Sequence, residues 1–271
     1  MRHVQRFDGY HRLTHLALMV SFLGLALTGT PLLFHEAPWA ARLARVLGGL
    51  YVAGWLHRFF AVVLIAVFAL HVGRVIYRLL VTKEPGMLWG PSSMIPQPRD
   101  LKELIDHVAW FFRRGPRPRF DHFTYWEKFD YWAVFWGMFI IGGSGLLLWF
   151  PAFFAHVVPG WLFNIALLIH GEEALLAVAF IFTIHFFNGH LRPDKFPMDT
   201  VIFTGSVEEE EMKHERPQEY ERLRKDGRLE ALVVEPPSPG LLRRGRIVGS
   251  LAIVLGLSLF GLIVYAVINH P

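Results

Sequence analysis

The sequence predicts an all-α integral membrane protein, a bundle of four transmembrane helices followed by a fifth at the C-terminal end. Three observations carry that expectation. The chain is 53% hydrophobic with a positive mean hydropathy, which sets it apart from ordinary soluble domains. It contains five apolar runs, each close to the ~20 residues a helix needs to cross a bilayer. Its lysines and arginines gather between alternate runs, where they set orientation.

The first run, Leu13–Phe34, is broken near its end by Pro31 and holds His15 about one turn inside its start. Residues 35–52 include APWAARLARVLGGL, a candidate interfacial helix. The second run begins near Trp55, with His57 at its mouth and His71 fourteen residues further on. Residues 82–130 are polar and rich in Lys, Arg and Pro, with one amphipathic stretch, Asp100–Arg113, suited to the membrane surface. The third run, Tyr131–Phe150, has no histidine but a glycine-rich middle, IIGGSGLLLW. The fourth, Trp161–Pro193, carries His170 and His185. Residues 191–245 read as a soluble tail with an acidic run, Glu208–Glu211, and Ile247–Asn269 is a fifth run without internal charge. The expected organisation is a four-helix transmembrane domain over 1–190, a cytoplasmic tail over 191–245 and a fifth transmembrane helix over 246–271.

Orientation follows from the basic residues. Arg2, Arg6 and Arg12 precede the first run. Lys83, Lys102, Arg113, Arg114, Arg117, Arg119 and Lys128 lie between the second and third, and Arg192, Lys195, Arg222, Arg224, Lys225 and Arg243 follow the fourth. The other two loops carry chiefly Arg42 and Arg45. This bias puts the N-terminus, residues 82–130 and residues 191–245 on the cytoplasmic side, and the C-terminus outside. The expected setting is a bacterial or archaeal cytoplasmic membrane. The N-terminus lacks a small-residue cleavage site after a short apolar core, so the first run is expected to stay in place.

Composition also narrows the chemistry. The chain has no cysteine, which excludes a covalent c-type haem, cysteine-ligated iron–sulfur clusters and disulfides. Any redox cofactor must be held by histidine or methionine, and there are fourteen histidines. With a net charge of only +4, and its basic residues placed where topology signals lie, the chain has no nucleic-acid footprint.

Ionisable residues deep in a span are costly and are by default functional candidates. His170 and His185 are fifteen residues apart, a rise of ~22 Å and a net rotation of ~60° on an α-helix. Both imidazoles therefore project from broadly one side near opposite leaflets, the placement needed to hold two stacked haems. Matching by depth, His57 and His170 both lie toward the outer surface and can ligate one iron. Toward the inner surface His185 can pair with either His15 or His71, and spacing leaves both open. Bis-histidine ligation without an open site suits electron transfer. Two rival classes are a haem-free membrane anchor and a histidine-lined proton or metal transporter. Transporter ligands should converge near one depth, whereas these histidines fall into two layers.

The runs HLALMVSFLGLALTG (His15–Gly29), LHRFF (Leu56–Phe60) and LLIH (Leu167–His170) resemble those of the di-haem cytochrome b subunit of membrane formate dehydrogenases, the gamma subunit. That subunit groups with the cytochromes b of thiosulfate reductases and nickel–iron hydrogenases. The resemblance covers roughly residues 7–190. It implies two haem b groups, the outer iron on His57 and His170 and the inner on His15 and His185. It implies a quinone or quinol reacting near the inner haem, and a periplasmic partner on the outer side. This chain departs from the pattern in three ways. The His170–His185 gap is one residue longer, and His71 is an additional histidine at ligand depth. The stretch HFFNGHLRPDKFPMDTVIFTG and the fifth helix look more like cytochromes b that work with multihaem c-type cytochromes. The implied partner is thus a multihaem cytochrome c or an iron–sulfur/molybdopterin subunit. The chain itself is expected to be the quinone-reactive electron-transfer subunit of a larger oxidoreductase.

Several further residues are candidates. His71 is an alternative inner ligand or a helper near the propionates or quinone. Arg74, three residues on and on the same helical face, is placed to pair with a propionate or to snorkel. Glu172 and Glu173 could carry protons or tune the outer haem, or line a polar crevice. Asn188 and His190 are the first candidates for inner quinone contacts, with an interfacial role the plainer reading of His190. Gly24, Gly29, Gly137, Gly142, Gly143 and Gly145 leave room for a porphyrin face or another helix. Trp132, Trp136, Trp149 and Trp161 suit an interfacial belt. His3, His35, His107, His122, His156, His214 and His270 read as solvated loop or terminal residues.

Overall fold

The computed structural model describes residues 2–269. The protein is a multi-pass, mainly helical membrane protein with five helices long and apolar enough to span: Gly9–Leu33, Leu50–Leu80, Tyr125–Trp149, Trp161–Leu191 and Pro239–Asn269. These are the first to fifth spans below. Four begin before their apolar runs, because hydropathy marks only the lipid-facing part of a helix. The ends continue where their orphan N–H groups find caps. Asp8 Oδ1 accepts from His11 N at 2.9 Å before the first span, and Ser238 Oγ from Leu241 N at 3.3 Å before the fifth. At the third, the Thr124 backbone N–H and hydroxyl both donate to Glu127 Oε2, at 2.8 and 2.9 Å, a capping-box arrangement. The second span starts at Leu50, so His57 lies two turns inside it rather than at its mouth. The connection over 35–52 contains the expected short helix, Pro38–Val46.

The chain divides into two compact units, each built from three separate stretches. One comprises the residues up to Arg12, Val72–Val134 and Val201–Leu242. Its centre is a three-stranded antiparallel sheet with order β2-β1-β3: β1 is His3–Gln5, β2 Ser206–Glu208 and β3 Val233–Val234. Val4 pairs with Val207 on one side and Val233 on the other. It is buried with Val207, Met212, Leu223 and Leu229, so the stretch read as a tail closes a small core around the N-terminal strand. Gly205 makes the close turn into β2: its φ is +86°, and a Cβ there would lie 2.7 Å from the Phe7 carbonyl.

Ion pairs knit the rest of this unit. Lys128, 1% exposed, places its ammonium 2.8 and 2.9 Å from the Asp100 carboxylate. Arg6 bonds Glu219 at 2.8 Å, Arg216 bonds Glu127 at 2.8 Å and Arg222 bonds Asp121 at 2.7 Å. His122 bonds Glu219. Burial would raise the Glu219 carboxyl, but His122 and the Arg6 charge outweigh it and hold it at about 2. Three histidines expected to be solvated are therefore not. His3 lies in β1, half-buried, with its Nδ1 buried. His122 is held in this network, and His107 sits on the Pro98–Phe111 helix, bonding Tyr125 Oη at 3.1 Å among Phe120, Trp110 and Trp126. His35, His156 and His214 are exposed as expected, and His270 lies outside the described residues.

The second unit comprises Leu13–His71, Phe135–Thr200 and the residues from Arg243 onward. It holds most of each transmembrane helix. Its core joins the first, fourth and fifth spans through Ala26, Val178, Phe182, Phe186, Ile253, Leu259 and Ile263. Large apolar side chains such as Leu70, Phe139, Leu176 and Leu251 point outward, as lipid-facing residues do. The third and fourth spans each contain π-helical turns: Met138–Gly142 in the third, Ile181–His185 and Phe187–Leu191 in the fourth.

Glu103 generates a pH-dependent prediction. Burial pushes its carboxyl up to about 7, against the lowering effect of Arg99, and Oε2 is buried without a hydrogen-bond partner among the described residues. Below the ordinary value of 4.5 it is neutral in both folded and unfolded chains, and its burial then carries no ionisation penalty. As pH rises toward 7 the unfolded chain loses its proton first, so stability falls, and above about 7 the penalty is constant. Glu103→Gln should therefore stabilise the detergent-solubilised protein at pH above 7, with the gain shrinking toward pH 4.5; unfolding midpoints across that range measure it.

Candidate functional site: two facing histidine pairs

Four of the predicted histidines come together in two pairs, all within the transmembrane unit. The His57 and His170 rings, on the second and fourth spans, have centroids 6.3 Å apart and planes inclined at 78°. The His15 and His185 rings, on the first and fourth spans, lie 6.5 Å apart at 32°. Of the two partners left open for His185, it is thus His15 that faces it. His71 instead meets Phe135 of the third span edge-on at 6.5 Å.

Each ring of the first pair is oriented by a neighbouring helix. Thr28 Oγ1 donates to the Gly24 carbonyl at 2.6 Å, which commits its proton and leaves it to accept from His57 Nδ1 at 3.1 Å. Across the site, His170 Nδ1 donates to the Ile141 carbonyl at 3.0 Å. Ile141 lies in the π turn of the third span, and its carbonyl also accepts from Ser144 Oγ at 3.1 Å. Ser144 Oγ donates to the Ile140 carbonyl at 2.6 Å and sits 3.3 Å from His170 Nδ1. Both Nδ1 atoms therefore carry the proton, and each Nε2 keeps its lone pair for a metal.

A glycine follows each hydroxyl. A Cβ at Gly29 would stand 3.0 Å from His57 Cε1, and one at Gly145 would stand 3.0 Å from His170 Cε1. The dipeptides Thr28-Gly29 and Ser144-Gly145 thus form matching cradles on the first and third spans. Sequence reading singled out both glycines but missed both hydroxyls. The available signal was a Ser or Thr immediately before glycine at the depth of a candidate ligand.

The spacing within each pair is informative. With a metal–imidazole bond of ~2.0 Å and a ring centre about 1.1 Å behind its nitrogen, two rings on opposite sides of one metal lie ~6.2 Å apart. The observed 6.3 and 6.5 Å fit two imidazoles on opposite sides of one ion. Among the described residues no group of three or more His, Cys, Asp or Glu is placed to hold a bare ion. What the pairs suit is a metal that brings its own equatorial donors, as a haem does.

The fifteen-residue gap between His170 and His185 also acquires a physical account. The π turn at Ile181–His185 winds by less per residue than an α turn. It takes back part of the ~60° offset that an unbroken α-helix would impose. Phe182 and Phe186 flank His185 and are both buried. Phe22 of the first span meets Phe182 edge-on at 5.8 Å. From the fifth span Gly256 closes over them, where a Cβ would fall 2.7 Å from both rings. The fifth helix therefore packs directly on the turn that aims His185.

The remaining candidates divide. Glu173 Oε2 accepts from Trp136 Nε1 at 3.2 Å, and Glu172 is exposed. His190 has a buried Nδ1 with no hydrogen-bond partner among the described residues, while its ring bonds the Asp199 backbone. Asn188 is half-buried nearby on the same π turn. Arg74 is engaged elsewhere: its guanidinium stacks on Tyr10 at 4.1 Å and approaches Asp8 at 3.8 Å. Those two contacts account for a charge at this span end without a propionate. Compared with known proteins, the chain matches no family model and no curated protein.

Gly256 yields a stability test with an internal control. Gly256→Ala forces Phe182 or Phe186 to move and should cost ~1–3 kcal/mol, the range for overpacking a filled core. Gly261→Ala, on the same helix with open space around its Cα, should be neutral or slightly stabilising. Thermal unfolding of both variants in detergent measures the contrast.

Proposed function

We propose that this protein is a di-haem b-type cytochrome that carries electrons across the membrane between a quinone pool and a partner redox subunit. The observation that supports it best is the pair of facing imidazole sets, His57 with His170 and His15 with His185, at spacings suited to one metal each. On the shared fourth span the two ligands are ~22 Å apart by α-helical rise, so the two sites mark opposite halves of the bilayer. A haem bound at each would supply a one-electron redox centre.

The residues of this chain perform the remaining tasks. Thr28, Ile141 and Ser144 orient the rings of the His57/His170 pair, and the packed aromatics around Phe182 hold the other. Bis-histidine ligation closes both axial positions and favours electron passage over oxygen chemistry. At the His185 end, His190 and Asn188 offer a donor and an acceptor for a quinone headgroup. By the distribution of basic residues this end faces the cytoplasm, and a multihaem cytochrome c or an iron–sulfur/molybdopterin subunit would dock outside. This reading also agrees with the sequence resemblance to formate dehydrogenase-type cytochromes b. A transporter would need its polar groups to converge near one depth, which two separated pairs do not offer.

Haem quantitation tests the proposal. Purified, cofactor-supplied protein should show a b-type reduced-minus-oxidised spectrum and two haems per chain by pyridine haemochrome. His15→Ala should lose one haem and His71→Ala neither. A folded preparation without b haem overturns the reading, and loss on changing His71 alone overturns the ligand assignment.

A further inference from the structure

The Pro98–Phe111 helix is amphipathic with its faces reversed. Its polar side turns inward: Asp100 and Glu103 are buried, and Asp100 is tied to the buried Lys128 ammonium. Its apolar side turns outward, with Leu101, Leu104, Ile105, Val108 and Phe111 all exposed, and Phe112 continuing the stripe. Positions 101, 104, 105, 108, 111 and 112 follow one face of a 3.6-residue period, and Glu103 stands roughly opposite Ile105. A helix surrounded by water places these faces the other way round.

Two contacts fix where this helix sits. Lys128, which holds Asp100, belongs to the first turns of the third span, Tyr125–Trp149. Trp132, one turn further along that span, donates its indole N–H to the Met94 carbonyl at 3.0 Å, just before the helix. The helix is thus attached at the level where an apolar span begins, and Trp132 is a residue type that favours that boundary. The charges around the exposed stripe are mainly basic. Lys102 lies beside it, and Arg113 and Arg114 follow its end, all exposed.

We propose that Pro98–Phe111 is an interfacial helix that, with the adjoining Phe112, buries Leu101, Ile105 and Val108 in the acyl boundary of an anionic bilayer, with Lys102, Arg113 and Arg114 meeting the lipid phosphates. Amphipathic helices with a basic rim bind such surfaces through buried apolar area and charge together. The Lys128–Asp100 pair then acts as the internal tether that turns the leucines outward. This inference is independent of haem binding.

The absence of native cysteine makes the test direct. Nitroxide labels are placed singly at Ile105→Cys, Val108→Cys and Lys102→Cys in the full chain, reconstituted in phosphatidylcholine vesicles with a fraction of phosphatidylglycerol. Collision rates with oxygen and with a water-soluble nickel chelate are read by power-saturation EPR. Labels at 105 and 108 should favour oxygen strongly, and the label at 102 should favour nickel. In the Ile105→Cys background, Arg113→Gln with Arg114→Gln, or omission of phosphatidylglycerol, should make the label shallower. Nickel access at 105 equal to that at 102 overturns the proposal. Shielding of 105 from both reagents also overturns it, by showing a protein partner or a second copy on this face. Depth insensitive to both charge changes removes the anionic-headgroup contact.

Discussion

An imidazole inside a membrane helix has two ring nitrogens to satisfy where water is scarce, and that constraint organises the transmembrane unit. For His57 and His170 one nitrogen is settled by a neighbouring helix, through Thr28 Oγ1 and the Ile141 carbonyl. Fixing Nδ1 as the donor leaves each Nε2 with a free lone pair, on two rings whose centroids stand 6.3 Å apart. The two glycines that follow the hydroxyls serve the same end, because side chains there would crowd the ring edges. The second pair is held differently. His185 is aimed by a π turn, and that turn is wedged between Phe22 on the first span and Gly256 on the fifth.

Much of this was legible in the sequence. The five spans could be read because a bilayer demands about twenty apolar residues in a row, and nothing in the linkers imitates that. His57 and His170 could be matched by depth, since depth is linear in residue number along a helix. The choice between His15 and His71 could not, because both lie at the depth of His185 and differ only in the direction they face. That direction depends on helix rotation in the bundle, which packing such as Gly24 against Phe60 decides. The π turns were equally hidden. A residue that widens a helical turn has the same hydropathy as one that does not.

The unit built around the three-stranded sheet was read least well, for a clear reason. Its strands are two or three residues long, too short for alternation to show, and their partners are some two hundred residues away in the chain. Val4 looks like an ordinary residue of a basic N-terminus until Val207 and Val233 flank it. His122 and His107 were misjudged as solvated because polar neighbours suggest water. The structure shows instead that those neighbours are partners, Glu219 for the one and Tyr125 for the other. The same rule explains the Pro98–Phe111 helix, whose charges are satisfied inside and whose leucines are left to an apolar surrounding.

Low-temperature EPR of the fully oxidised protein tests the central claim most directly, that each histidine pair holds one iron. For low-spin ferric haem, near-perpendicular imidazole planes give a highly anisotropic signal, and near-parallel planes give a rhombic one. The planes of His57 and His170 are inclined at 78° and those of His15 and His185 at 32°. The account predicts one signal of each kind in equal amounts, the anisotropic one alone altered by Thr28→Val. A single low-spin species, high-spin iron or no haem signal from the folded protein would contradict it.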